Sequence, residues 1–287
     1  WWMDLGEGWF DHPELMKTIR TITELQARLG KVQHISTDEI LLVVDEHSLA
    51  AMSISYGLCV GLMYQLHSEL KLTGAPVDTL RFDDLFDETN KADLSHYTMV
   101  VFANCFNFKE GQREKLLELT RGKLRVWNYA AGICAPAFDY RNFTRLTGFE
   151  IREIVRNDAD YFGYPQDVYD YKKSQNRNSG DFPLFTIEAD GMEILSRYDS
   201  GEVNCAKLGD DVVCATPSLD RKMLRELAKR AGVTIVCDAD CTVYADNRIA
   251  GLFPKDDFEG TVRIFGEEKY VKMTKNGYQI FENKTKN

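Results

Sequence analysis

Ile40-Leu41-Leu42-Val43-Val44 is a run of five apolar residues closed by Asp45-Glu46, and its reading decides the fold. A half-exposed strand alternates polar and apolar residues, so an unbroken run points to a strand covered on both faces. Such strands sit inside parallel sheets flanked by helices. The uncharged stretch that follows, Ser48 to Leu66, is long enough to raise the question of a membrane span. Ser53, Ser55, Gly57, Gly61 and Gln65 dilute it, and it follows directly on a strand. It reads as a buried helix from about Leu49 to Leu72, with the Gly57-x-x-x-Gly61 spacing permitting close approach to the sheet.

The same alternation continues downstream. Val77–Phe82, Met99–Ala103, Leu124–Tyr129 and Phe149–Val155 read as further strands. Gly111–Thr120 and Phe138–Leu146 read as helices between them. After a polar interruption, Asp211–Ala215 reads as a strand and Leu219–Arg230 as an amphipathic helix ending at Gly232. Repeated β-α units of this length predict an α/β fold with a doubly wound, mostly parallel sheet. After Val233 the character changes to short strands at Thr242–Ala245, Ile249–Phe253, Thr261–Phe265, Tyr270–Met273 and Tyr278–Phe281. Asp246-Asn247 and Asn276-Gly277 supply turn signals, which predicts a small C-terminal antiparallel β domain.

Upstream, Trp1-Trp2-Met3-Asp4-Leu5-Gly6-Glu7-Gly8-Trp9-Phe10-Asp11 has no initiator methionine before it. It reads as the closing strand and loop of a preceding domain. Asp11-His12-Pro13-Glu14 then starts a helix whose Leu15, Ile19, Ile22 and Leu29 share a face. The expected domains are therefore 1–36 (a remnant of the preceding domain), 37–235 (the α/β domain) and 236–287 (the β domain).

The net charge of −10 and a pI near 5.1 repel phosphate backbones and anionic lipid, so neither nucleic acid nor a membrane is an expected partner. Seven cysteines, mostly in apolar stretches, fit buried thiols better than a disulfide framework. Cys237 and Cys241 flank Asp238-Ala239-Asp240, but a tetrahedral zinc site needs about four ligands and no histidine follows His96. No metal and no cofactor are expected. The first strand–helix turn, Asp45-Glu46-His47-Ser48, places two carboxylates where a nucleotide phosphate would lie.

Gly132-Ile133-Cys134-Ala135-Pro136 follows a strand and offers Cys134 as a candidate nucleophile on a tight turn. A working thiol needs a base, and all five histidines (His12, His34, His47, His67, His96) precede it. A small residue in a buried turn is the favoured reading of Cys134. A glycosidase needs two carboxylates, but 45 acidic residues leave the pair unidentifiable by inspection. In the opening segment, Trp2, Trp9 and Phe10 could stack on a sugar ring while Asp4 or Glu7 accepts its hydroxyls; packing in a core or interface is equally compatible. The polar stretch 157–181 carries Tyr161, Phe162, Tyr164, Tyr169 and Tyr171, too aromatic for plain disorder. It reads as an ordered insertion that packs on a partner subunit or on the preceding domain.

These residues resemble the C-terminal half of β-galactosidase-like glycoside hydrolases. The resemblance rests on Trp1 to Asp11, Pro13-Glu14-Leu15-Met16, Leu42-Val43-Val44-Asp45-Glu46, Val101-Phe102-Ala103-Asn104, Val126-Trp127-Asn128-Tyr129-Ala130 and Thr242-Val243-Tyr244-Ala245-Asp246-Asn247. It implies the end of a catalytic (β/α)8 barrel, then a trimerisation domain of class I glutamine-amidotransferase-like, flavodoxin-like fold, then a small β domain. It further implies that the catalytic acids lie outside this chain, that the amidotransferase triad is missing, and that the chain's role is assembly. The implied partners are its own barrel, further copies in a trimer, and a galactoside or related oligosaccharide for the parent enzyme. The stretch 157–181 departs from the family pattern. Two alternatives remain at this point: a Cys134-dependent amidotransferase-like or peptidase-like enzyme, and a carbohydrate-binding module using the Trp-rich opening. The sequence leaves the compartment open.

Overall fold

A computed structural model describes residues 12–52, 56–89, 92–154, 182–198 and 200–283. At its centre is β1 (Ile40–Val44), whose first four residues are buried. The strand alternation sends Leu41 and Val43 into one core and Ile40 and Leu42 into another, on opposite faces of the sheet. That two-sided burial is the reason the run carries no polar residue.

Strands β2 (Thr73–Arg81) and β3 (Met99–Phe102) flank β1, both parallel to it. Next comes β4 (Leu124–Asn128), parallel to β3. The chain then forms a separate antiparallel ribbon, β5 (Glu150–Ile154) with β6 (Leu184–Glu188). β7 (Glu193–Arg197) and β8 (Val203–Leu208) lead antiparallel into β9 (Asp211–Cys214), which returns to lie parallel against β4. β10 (Cys241–Ala245), β11 (Ile249–Pro254) and β14 (Gln279–Glu282) complete the sheet, while β12 (Phe258–Ile264) and β13 (Glu267–Met273) form a hairpin apart. The ten-stranded order is β14-β11-β10-β2-β1-β3-β4-β9-β8-β7. Among the described residues the α-helices are α1 (Pro13–Leu29), α2 (Glu46–Ala51), α3 (Tyr56–Cys59), α4 (Leu66–Lys71), α5 (Gln112–Leu119), α6 (Tyr140–Thr147) and α7 (Arg221–Arg230).

The α/β reading holds, with three differences of detail. The long helix expected over 49–72 is broken: Met52 is extended after α2, and a π-helical turn, Val60–Gln65, separates α3 from α4. The two ends have different anchors. Asp45 and Ser48 fix the first turn to the end of β1, whereas Leu66 and Leu70 pack into the core on one face of the sheet. Gly61 permits a close approach, though to the loop after β9 and not to the sheet itself: a Cβ there would come within 2.5 Å of the Pro217 side chain.

The strand at 149–155 does not join the parallel sheet. Its place beside β4 goes to β9, and β5 pairs with β6 instead. The third difference is at the C-terminal end. The short antiparallel strands are continuous with the large sheet, because β10 pairs parallel with β2 and β11 and β14 extend from it. The inner faces of β10 and β11 share a core with the hairpin through Val243, Leu252, Val262 and Val271.

Helix α1 starts as the sequence predicts, with His12 Nδ1 accepting the Glu14 N–H at 3.3 Å and Pro13 in the first turn. None of its residues is buried, and Met16, Ile19 and Ile22 are exposed. Leu15, Leu25 and Leu29 are half-buried, so the exposed part of its apolar surface is Met16, Ile19 and Ile22.

Candidate functional site

From β1 the chain passes to β2 on one side and then crosses back to β3 on the other, so β1 and β3 bound the topological switch point. Open α/β sheets bind ligands in the crevice outside the carboxyl ends of such strands. Here that crevice is closed by its own side chains. Asp45, Ser48 and Asn104 are all buried. The Asp45 carboxylate accepts the His47 N–H at 3.0 Å, capping α2, and also accepts the Ser48 hydroxyl. Ser48 Oγ in turn accepts the N–H groups of Phe106 and Asn107, each at 3.0 Å. The Asn104 amide exchanges two 2.8 Å hydrogen bonds with the Asp45 backbone. The amides and carboxylate that could face a ligand are satisfied by one another.

Cys134 lies near this edge but not on an elbow. The sharp turn after β4 is made by Tyr129, a non-glycine residue at φ 61°. Its ring is buried, its N–H donates to Cys214 O, and its hydroxyl donates to Pro183 O at 2.6 Å, so the phenol is occupied. A nucleophile elbow also needs a helix directly behind the turn, whereas α6 begins only at Tyr140. Cys134 sits on a short extended bridge, its N–H donating to Phe106 O and its carbonyl accepting from Phe108. Burial pushes its thiol up from the ordinary cysteine range, with no cation among the described residues to oppose it. The Cys134 thiol is therefore expected to alkylate with iodoacetamide at pH 7 several-fold more slowly than free cysteine; faster reaction would contradict this account.

The histidines make other connections. His47 Nε2 lies 3.0 Å from Asp83 Oδ2, and Lys109 Nζ lies 3.6 Å from the same carboxylate, all on exposed surface. His34 bridges Leu29 O and the Asp246 carboxylate, contacts that raise its pKa. Burial lowers that of His67. Cys237 and Cys241 are both buried, but only Cys241 is in a strand, as the first residue of β10, while Cys237 lies in the loop before it. No group of three metal-ligating side chains occurs among the described residues. Nor is any described helix long and apolar enough to cross a membrane.

A second polar cluster lies by the opposite end of β1. Asp38 precedes the strand, near Asp78, Lys71 and Asp246, and no described group donates a hydrogen bond to its Oδ1. Tyr97 donates its hydroxyl to Asp78 at 2.7 Å, and Lys71 donates to Val77 O at 2.8 Å. Burial, then the neighbouring Asp78, raises the Asp38 pKa to about 6 from 3.8. A carboxyl that holds its proton more tightly when folded stabilises the fold at low pH, and that stability is lost as pH rises through about 6. Asp38→Asn is thus expected to raise the urea midpoint at pH 7.5, equivalent to about 1 kcal/mol after solvent screening. The difference should shrink to about one-third at pH 4.5 and vanish only below the unfolded-state pKa of 3.8.

The sequence-predicted sugar contacts Trp2, Asp4, Glu7, Trp9 and Phe10 lie outside the described residues, as do Tyr161, Phe162, Tyr164, Tyr169 and Tyr171. Sequence reasoning missed Tyr129 and Asp38. The first had a signal: an aromatic residue directly after a strand, before the small residues Ala130-Ala131-Gly132. The second had none, because its burial depends on β2 and β10.

No protein-family model matches the chain, and no curated protein matches it. Solved structures do share its fold. The β-galactosidase of the Antarctic haloarchaeon Halorubrum lacusprofundi superposes with a TM-score of 0.63 at 15% identity, over 91% of this chain and 42% of that one. The β-galactosidase of Bacillus circulans sp. alkalophilus gives 0.57 at 17% identity, over 91% and 44%. The α-L-fucosidase isoenzyme 2 of Paenibacillus thiaminolyticus gives 0.54 at 12% identity, over 90% and 43%. The chain spans less than half the length of each. Its fold is that of a C-terminal part of β-galactosidase-like proteins.

Proposed function

We propose that this chain is a noncatalytic oligomerisation module, of trimerisation type, belonging to a β-galactosidase-like glycoside hydrolase. The observation that carries the reading is the switch point. In a sheet of this topology chemistry belongs in the crevice beyond β1 and β3, and Asp45, Ser48 and Asn104 fill it with their own hydrogen bonds. Beside it, no described residue offers Cys134 a base or a cation to make a thiolate. The likeness to several glycosidases over nearly the whole of this chain, but under half of theirs, supports a role subordinate to a larger enzyme.

Two surfaces suit assembly. The exposed Met16, Ile19 and Ile22 of α1 offer an apolar face to the parent enzyme's own barrel domain. The aromatic stretch with Tyr161, Phe162, Tyr164, Tyr169 and Tyr171 has the composition of an intersubunit contact. On this reading a galactoside or related oligosaccharide is the substrate of the parent enzyme. The chain by itself is expected to release no nitrophenol from p-nitrophenyl β-galactoside. Turnover that disappears when one of its own acidic residues is replaced would defeat the proposal.

A further inference from the structure

The inner faces of β10 and β11 are consumed by packing against the β12–β13 hairpin, but their outer faces carry exposed aromatic rings. Tyr244, Phe253 and Tyr278 are 57%, 40% and 45% exposed. Tyr244 and Phe253 meet edge to face at 5.9 Å, and Phe253 and Tyr278 are stacked at 6.1 Å, so the three form a continuous ladder. In register, Tyr244 stands opposite Gly251, and Gly251 opposite Ile280. The row is therefore large, absent, large. Gly251 lies in the lining of a trough of about 330 Å³, which Tyr244, Phe253 and Ile280 share with Pro76 of β2 and with Asp38 and Asp246.

The glycine is the informative residue. A glycine inside a strand weakens it, and often marks a place where a ligand or another backbone comes close. Gly251 is not in the left-handed region, and a Cβ there would meet only the Phe253 ring edge, at 3.2 Å. The backbone conformation does not require it; a side chain at this position would press on the Phe253 ring, which leans over the glycine, and would narrow the trough beside it.

The walls specify the occupant. Flat aromatic faces favour a ring with an apolar face, while carboxyls at the end accept hydrogen bonds and repel anions. A cation is disfavoured, because the Lys71 ammonium already lies 5.1 Å from the Tyr244 ring centroid. The volume falls within the range of small-molecule sites. We propose that the Tyr244–Gly251–Phe253 trough binds a neutral oligosaccharide, one pyranose ring lying over Gly251 between the aromatic side chains. This site is separate from the closed crevice at β1 and β3, and the inference does not depend on the assembly reading.

The test is saturation-transfer NMR of the whole chain with β-1,4-galactotetraose, xylotetraose and maltotetraose, each at about 5 mM, the regime of weak single-site binding. Transfer to the ring protons of at least one is expected. Gly251→Val should abolish it with the fold intact, since valine suits a strand. Tyr244→Ala, at an exposed position, should weaken binding about tenfold. Absence of transfer from all three sugars, or undiminished binding by Gly251→Val, would overturn the proposal. So would a change in solution mass in place of a change in binding for Tyr244→Ala, which would make the ladder a contact between copies.

Discussion

Glu69→Ala should cost the fold about 3–5 kcal/mol, read as a fall in the urea unfolding midpoint, because it strands a buried guanidinium. Glu69 and Arg221 are 3% and 4% exposed. The Glu69 carboxylate accepts three hydrogen bonds from Arg221: from its backbone N–H at 2.9 Å, Nε at 2.7 Å and the terminal nitrogen Nη2 at 2.9 Å. Arg221 also pairs with Asp240 at 2.7 Å, and Arg225 joins Asp240 at 3.0 Å while donating to the carbonyls of Leu72 and Thr73. One network thereby fixes α4, α7 and the loop before β10 to each other. Burial opposes the charge on Arg221, yet the carboxylates outweigh it and raise its pKa. With Glu69 gone only Asp240 remains, and it is about one-third exposed. Glu69→Leu combined with Arg221→Met should recover most of the loss, since removing both charges removes the desolvation cost. A single-variant loss below about 1 kcal/mol would show that the pair contributes no more than a surface ion pair.

Gly74→Ala should be at least as damaging, about 4 kcal/mol or more, which places it among the exceptional substitutions. Gly74 has φ +81°, and a Cβ there would come within 1.8 Å of the Cys237 carbonyl oxygen, a backbone atom that cannot rotate away. The Gly74 carbonyl also accepts the N–H groups of Val236 and Cys237 at 2.9 and 3.0 Å. This is the joint at which the C-terminal strands meet β2. Hydrogen exchange should accordingly show protection lost first in Cys241–Ala245 while Ile40–Val44 stays protected. Gly111 is the control: its φ is +76° but nothing lies within 4 Å of its Cβ position. Alanine there should cost only the left-handed strain, about 1–2 kcal/mol.

The parallel sheet was legible in the sequence because two-sided burial leaves an unambiguous mark, as in Ile40–Val44 and Met99–Phe102. Local turn chemistry was legible only in part: Asn276 adopts φ 60° in a turn before β14, but the hairpin that Asn276-Gly277 signals does not form, because β13 pairs with β12 and β14 with β11. What could not be read was which strand pairs with which. Glu150–Ile154 and Asp211–Cys214 both carry strand signals, yet only the second reaches β4, a choice made by long-range packing. The strands between 184 and 208 were missed although Gly209-Asp210 turns β8 back into β9 with Gly209 at φ 57°. The C-terminal strands read as a separate unit because nothing local announces that Cys241 pairs with Thr73. Cys134 attracted notice through its flanking glycine, whereas the turn with elbow-like backbone belongs to Tyr129. The closed crevice was half visible: Asp45 marked it as hostile to phosphate, but Asn104, fifty-nine residues away, completes it only in three dimensions.

The central claim is that this chain exists to assemble, and sedimentation equilibrium of the whole chain over a wide concentration range tests it most directly. The account predicts a species of three times the 32.9 kDa chain mass that persists on dilution into the low-micromolar range. A 32.9 kDa monomer at every concentration would contradict it.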